Sequence, residues 1–142
     1  MKVLEVEAGG IRFKVPEDLK YTESDEWVRL EDGLVIVGIT DYAQKKLKDI
    51  VGVELPESGK SYGRGEVVAV LESIKATGEV YAPVDGEVVD VNERLLDEPE
   101  LVNIDPYGEG WIVKLKPSNP SQLEDLLDAQ GYVESVRRRE GS

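Results

Sequence analysis

Residues 70–88 read VLESIKATGEVYAPVDGEV, and their reading decides the fold. The run EVVAVLE at 66–72 is almost continuously apolar, the pattern of a buried strand. GEVYAP at 78–83 returns as the next strand, and ESIKAT between them supplies the turn. Lys75 falls near the middle of that turn. A lone flexible cation at the tip of a stiff hairpin is held away from the body of the protein. Lysine is common in this chain, so spacing alone favours a solvated surface residue over a functional one.

Working outward, the same grammar of short strands and Gly or Pro turns repeats. VLEVEAGGIRFKVP at 3–16 predicts a hairpin turning at Gly9-Gly10, with Ile11, Phe13 and Val15 on one face. DEWVRLEDGLVIVGI at 25–39 predicts a second hairpin turning at Asp32-Gly33, with Val35, Val37 and Ile39 sharing a face. TDYAQKKLKDI at 40–50 changes to helical spacing, with Thr40 or Asp41 as cap and Gln44 completing a capping box. VDGEVVDV at 84–91 predicts another turn and strand, and Asn92 is placed to cap ERLL. A final strand is expected in DPYGEGWIVKLKP at 105–117. In NPSQLEDLLDAQGYVESV at 119–136, Asn119, Pro120 and Gln122 predict a helix start. Leu123, Leu126 and Leu127 form its face, and Gly131 stops it. The tail RRREGS is expected to be polar and frayed, its arginines complementing a helix C-terminus.

Composition narrows the chemistry. The 142 residues suit one domain, with 40% hydrophobic and 33% charged residues. There is no cysteine and no histidine. Disulfides, thiolate metal sites and cysteine nucleophiles are therefore excluded, and so is the usual neutral-pH acid–base residue. No metal site is expected. The net charge of −13 repels phosphate backbones and anionic membranes, so neither nucleic acid nor a membrane is expected as partner. No apolar run is long enough to span a bilayer, and the N-terminus is a poor secretory signal, which predicts a cytoplasmic protein.

LESIKATGEVYAPVDGEVVDVNE at 71–93 resembles the lipoyl-lysine segment of the glycine cleavage system H-protein family. YTESDEWVR at 21–29, VGITDYAQKKL at 37–47, VELPESGK at 53–60, LVNIDPYGEGWIVKLKP at 101–117 and the leucine-rich close resemble the same family in the same order. The likeness covers about residues 19–130. It implies a mainly β barrel-sandwich hybrid of the lipoyl- and biotinyl-carrier kind, with a short helix after the second hairpin and a C-terminal helix. On that reading residues 1–16 are a hairpin extension, 17–131 the carrier domain with its C-terminal helix, and 132–142 a polar tail.

The resemblance implies a non-catalytic carrier with lipoate in amide linkage to Lys75. It implies four partners: a pyridoxal-phosphate glycine decarboxylase (P-protein), a tetrahydrofolate-dependent aminomethyltransferase (T-protein), a dihydrolipoyl dehydrogenase (L-protein), and a lipoate ligase or lipoyl transferase. A carrier that visits several enzymes is expected to be a monomer. Family members shelter the loaded arm in a cleft, and the matching positions are Ser24, Glu26, Thr40 and Glu79. Ile74 precedes the lysine and Ala76 follows it, whereas biotin carriers usually place methionine on both sides. Where the family commonly reads HEW, this chain has Asp25-Glu26-Trp27. Other readings stay open: an H-protein-like carrier of sulfur oxidation or lipoate supply, an unmodified acidic interaction module, and, least favoured, a carboxylate hydrolase.

Overall fold

The computed structural model describes residues 2–141. Its first hairpin pairs β1 (Val3–Ala8) with β2 (Ile11–Pro16). Gly9 and Gly10 turn it in the left-handed region, at φ 58° and 79°, where a Cβ is costly. After β3 (Lys20–Tyr21), the second hairpin pairs β4 (Glu26–Glu31) with β5 (Leu34–Ile39). Asp32 and Gly33 both have positive φ, as the tight hairpin turn requires. The helix α1 (Asp41–Leu47) follows, capped by the Thr40 hydroxyl, which accepts from the Ala43 amide. Gln44 bonds Asp41 instead of completing the box on the cap residue.

The chain then runs through β6 (Ile50–Glu54), β7 (Ser61–Tyr62), β8 (Val67–Ser73), β9 (Thr77–Tyr81) and β10 (Gly86–Val91). Two one-turn helices, α2 (Arg94–Asp97) and α3 (Leu101–Ile104), lead to β11 (Val113–Pro117). Six strands form one sheet in the order β3-β4-β5-β11-β10-β7, and three form another, β6-β8-β9.

Two cores share the larger sheet. Its inner face sends Val28, Val35, Val37 and Leu115 against Leu71, Val80 and Val53 of the smaller sheet. Its outer face sends Trp27 and Ile36 into a second cluster with Phe13, Val15, Tyr42 and Tyr132. Period-two alternation thus explains why LVIVGI is apolar throughout: odd positions face one core and Ile36 the other. Gly38 lies opposite Trp27 in the register, and a Cβ there would stand 2.6 Å from the indole.

Four expectations are corrected. Residues 120–125 form a 3-10 helix, Pro120–Asp125, and Leu126 turns extended at φ −76°, ψ 155°. Leu127 pairs with Tyr21 through two backbone hydrogen bonds of 2.8 Å, which pulls the chain out of the helix. The long C-terminal helix is α4, Ala129–Glu140, capped by Asp128; Gly131 lies in its first turn and ends nothing. The run expected to fray is therefore ordered helix as far as Glu140, and the preceding turns of the same helix bury Tyr132, Val133 and Val136 in the second core. Asn92 does not cap α2 with its side chain; its amide donates to the carbonyls of Glu109 and Trp111.

Candidate functional site

Lys75 stands at the tip between β8 and β9, exposed, beside Ile74 at 69% exposure. The tip is short and closed from within. The Ser73 amide donates to the Ala76 carbonyl at 2.8 Å. The Ser73 hydroxyl accepts from the Ala76 amide and donates to the Ala76 carbonyl, both at 3.1 Å. Leu71 and Val80 anchor the two strands in the inner core. The backbone at the tip is fixed while the lysine side chain is left free.

A cleft of about 290 Å³ opens beside this hairpin. Leu71, Gly78 and Glu79 come from the hairpin, Ala43 and Leu47 from α1, and Ile39 from the end of β5. Gly78 makes the close approach possible: a Cβ there would sit 2.8 Å from a Leu47 methyl. Lys46 and Arg139 also line the cleft, but each is already engaged, with Glu140 at 3.2 Å and Asp25 at 2.8 Å.

Ser24 and Asp25, of the corner Thr22–Glu26, supply the second wall. Glu26 is fully buried. Its carboxylate accepts from the Thr22 hydroxyl at 2.5 Å, the Ser24 hydroxyl at 2.6 Å and the Tyr81 amide at 3.2 Å. Burial raises its pKa from 4.5 to about 7; those hydrogen bonds oppose the rise and the Asp25 charge adds to it. Glu26 faces a second hollow of about 470 Å³, lined also by Tyr81, Leu126 and Leu127, with the Arg64–Asp125 pair (2.9 Å) among its lining residues. Ser24 lines both hollows and so marks where they adjoin. Tyr81 ties the two expected acids together: its amide meets Glu26, and its hydroxyl donates to Glu79 at 3.1 Å. Among the described residues, neither Glu26 nor Glu79 forms an ion pair, so the uncompensated charge of this region is negative.

Of the residues expected from sequence, Ser24, Glu26 and Glu79 are brought together, and Lys75 stands on the hairpin that carries Glu79. Thr40 is elsewhere: fully buried, it caps α1 and bonds the Tyr132 hydroxyl at 2.7 Å, lining neither hollow. Both tryptophans serve the fold; Trp27 is buried with its indole donating to the Pro106 carbonyl, and Trp111 packs against the second core. Sequence reasoning missed Ser73, Gly78 and Arg139. Arg139 does more than complement the α4 terminus, because its guanidinium reaches both oxygens of Asp25, at 2.8 and 3.1 Å. No metal-binding group of His, Cys, Asp or Glu occurs among the described residues. No described helix is long and apolar enough to cross a membrane.

Comparison with known proteins places this geometry. The family model described as glycine cleavage H-protein matches residues 19–139. A probable glycine cleavage system H protein of Aeropyrum pernix is 64% identical over 138 residues, 97% of this chain and 96% of the relative. Glycine cleavage system H protein 2 of Pseudomonas putida is 58% identical over 119 residues, 83% of this chain and 93% of the relative. The crystal structure of a glycine cleavage system H protein from Mycobacterium marinum superposes with a TM-score of 0.78 at 36% identity, over 84% of this chain and 97% of that one. With the fold, the ordered motifs and these identities in agreement, the chain belongs to the glycine cleavage H-protein family.

Proposed function

We propose that Lys75 is the attachment point of a lipoyl group. On this reading the chain carries the aminomethyl group of glycine between a pyridoxal-phosphate decarboxylase, a tetrahydrofolate-dependent aminomethyltransferase and a dihydrolipoyl dehydrogenase. The carrying observation is an exposed lysine on a turn locked by Ser73, beside a cleft whose free charge is negative. When attached, the lipoyl group supplies the dithiol that a chain without cysteine lacks.

The residues fit such a group. Ile39, Ala43, Leu47 and Leu71 offer an apolar channel next to the tip, and Gly78 leaves open the space that any side chain would fill. Glu79, Ser24 and Glu26 then offer acceptors to an ammonium at the far end. A cation arriving beside Glu26 favours its ionised form, repaying part of the cost of burial. The arm keeps its load at high local concentration near a docked enzyme, which is what a carrier requires. Lysine is almost wholly protonated at neutral pH, so acylation calls for a lipoate ligase or lipoyl transferase. We place the protein in the cytoplasm as a monomer that meets each partner in turn.

Intact mass of the protein from its native host tests the attachment: one lipoyl amide is expected, on the peptide holding Lys75. Unmodified native protein that still supports glycine cleavage overturns the proposal. Reconstitution with the three partner enzymes separates glycine cleavage from a role in sulfur oxidation or lipoate supply, since only the first gives lipoate-dependent release of carbon dioxide from glycine.

A further inference from the structure

We propose that Asp25, Tyr132 and Arg139 are positioning residues through which the C-terminal helix sets the geometry of the Ser24–Glu26 corner, and with it the hold of the cleft on a charged load. The inference rests on the cleft being the arm's shelter. Asp25 sits between the two corner residues that present acceptors, and its φ of 75° lies in the left-handed region. For a non-glycine residue that conformation is costly and persists only where surroundings impose it. Here α4 imposes it. The Tyr132 hydroxyl donates to Asp25 at 2.8 Å, and Arg139 grips both carboxylate oxygens. Tyr132 is itself fixed, fully buried and bonded to Thr40, whose amide donates to the Asp25 carbonyl at 3.0 Å.

The backbone turn this creates points Ser24 at Glu26 across 2.6 Å. The chain of contacts is therefore helix to Asp25, Asp25 to corner, corner to Glu26. A second tie holds the same helix to the opposite side of the cleft: Glu140 accepts from the Tyr42 hydroxyl and pairs with Lys46 at 3.2 Å. Helix α4 thus touches both α1 and the corner that the cleft separates. The pairing also has an electrostatic role. Asp25 lies beside Glu26 and resists its ionisation, and Arg139 offsets that charge. The other charged groups facing this region are Glu23, which lines the same hollow as Glu26, Glu79, reached through Tyr81, Lys46 with Glu140, and the Arg64–Asp125 pair.

The test needs no lipoate at first. Carboxyl-detected NMR on the unmodified protein follows the titration of Glu26 in Asp25→Asn and Arg139→Met. Removing the arginine leaves Asp25 unopposed, so the Glu26 midpoint rises, by about threefold in proton affinity. Removing the Asp25 charge lowers it. Simple loosening of the fold would admit water and lower the midpoint in both variants, so a fall in Arg139→Met overturns the proposal. Arg139→Lys, which keeps the charge and folds more readily, is expected to stay near the wild-type midpoint; a rise equal to that of Arg139→Met also overturns it.

The loaded carrier gives the second readout, timed as formaldehyde released into buffer without partners. Arg139→Met is expected to shorten the lifetime of the load about tenfold, with Arg137→Met, an exposed neighbour on the same helix, unchanged. Equal lifetimes for Arg139→Met and wild type sink the positioning role. Equal lifetimes for Glu26→Gln and wild type sink instead the sheltering on which it rests.

Discussion

The lysine tip and the Thr22–Glu26 corner are both tight turns closed by a serine or threonine hydroxyl, yet they do opposite things. At the tip, the Ser73 hydroxyl satisfies Ala76 backbone groups, and the flanking side chains, Ile74 and Lys75, face solvent. At the corner, the hydroxyls of Thr22 and Ser24 converge on a side chain, the Glu26 carboxylate, and hold it out of water. The first turn freezes backbone to free a side chain; the second freezes side chains to keep a charge costly. On the proposed reading a carrier uses both: the arm reaches outward from the tip and returns to the corner for recognition of its load.

The sharpest way to break the contrast is at the tip. Lys75→Arg keeps the charge but removes the acylable amine. Carrier activity is expected to vanish altogether, while thermal stability moves by less than about 0.5 kcal/mol, as for other surface changes. Residual glycine cleavage by that variant, with no other lipoyl carrier present, would end the account of Lys75.

Gly78→Val attacks the space between the regions. A Cβ at 2.8 Å from Leu47 forces repacking of α1 against β9. The cost is expected at about 1–3 kcal/mol. The larger consequence is a filled cleft, with the load lost as fast as from a free arm. A variant that folds, accepts lipoate and protects its load as wild type does would show that the cleft is not the shelter.

Glu26→Gln sharpens the comparison through pH. With a pKa of about 7 in place of 4.5, the folded chain binds a proton that the unfolded chain has released. The contribution of this carboxyl to stability is therefore full below about pH 4.5 and is lost as pH rises through 7, by roughly 3 kcal/mol over that window. Glutamine can turn its carbonyl to the Tyr81 amide and its amino group to the two hydroxyls, so the contacts survive without the charge. The variant is expected to be more stable than wild type at pH 8, equal at pH 4, and poorer at retaining a charged load. Denaturation at the two pH values measures it, and a wild-type stability that climbs between pH 5 and 8 relative to the variant contradicts the buried, unpaired carboxylate.

Much of the strand-and-turn framework was legible because turns are local, although Ser73, which closes the lysine tip, was not. Gly9-Gly10, Asp32-Gly33 and the Thr40 cap follow from backbone rules that act within four residues. The corner was half legible: family likeness pointed to Ser24 and Glu26, but nothing local says that Asp25 needs Arg139, 114 residues on. The C-terminal segment misled for the same reason. Leu123, Leu126 and Leu127 have helical spacing, but the Leu127–Tyr21 bridge outcompetes it. The true helix carried its own signal, Ala129, Tyr132, Val133 and Val136 at i, i+3, i+4 and i+7 behind an Asp cap. The charged run that follows hid it, because Arg137 to Arg139 read as a tail.

The smallest expected effect lies in Ser73→Ala, and it asks whether the tip's rigidity matters at all. The substitution removes the hydroxyl but leaves the Ser73 amide bonded to the Ala76 carbonyl. The Ala76 amide, at an exposed residue, can turn to water, so the stability loss is about 1 kcal/mol or less. If the turn only has to exist, modification and transfer proceed unchanged. If the arm's root must be aimed, the variant is acylated a few-fold more slowly at fixed ligase concentration, because the enzyme must first order the loop. The effect should fall on the apparent affinity for the carrier rather than on the turnover of bound carrier, and Ser73→Thr, which restores a hydroxyl, should recover it. A wild-type acylation rate in Ser73→Ala would leave exposure, and not stiffness, as the feature that singles out this lysine.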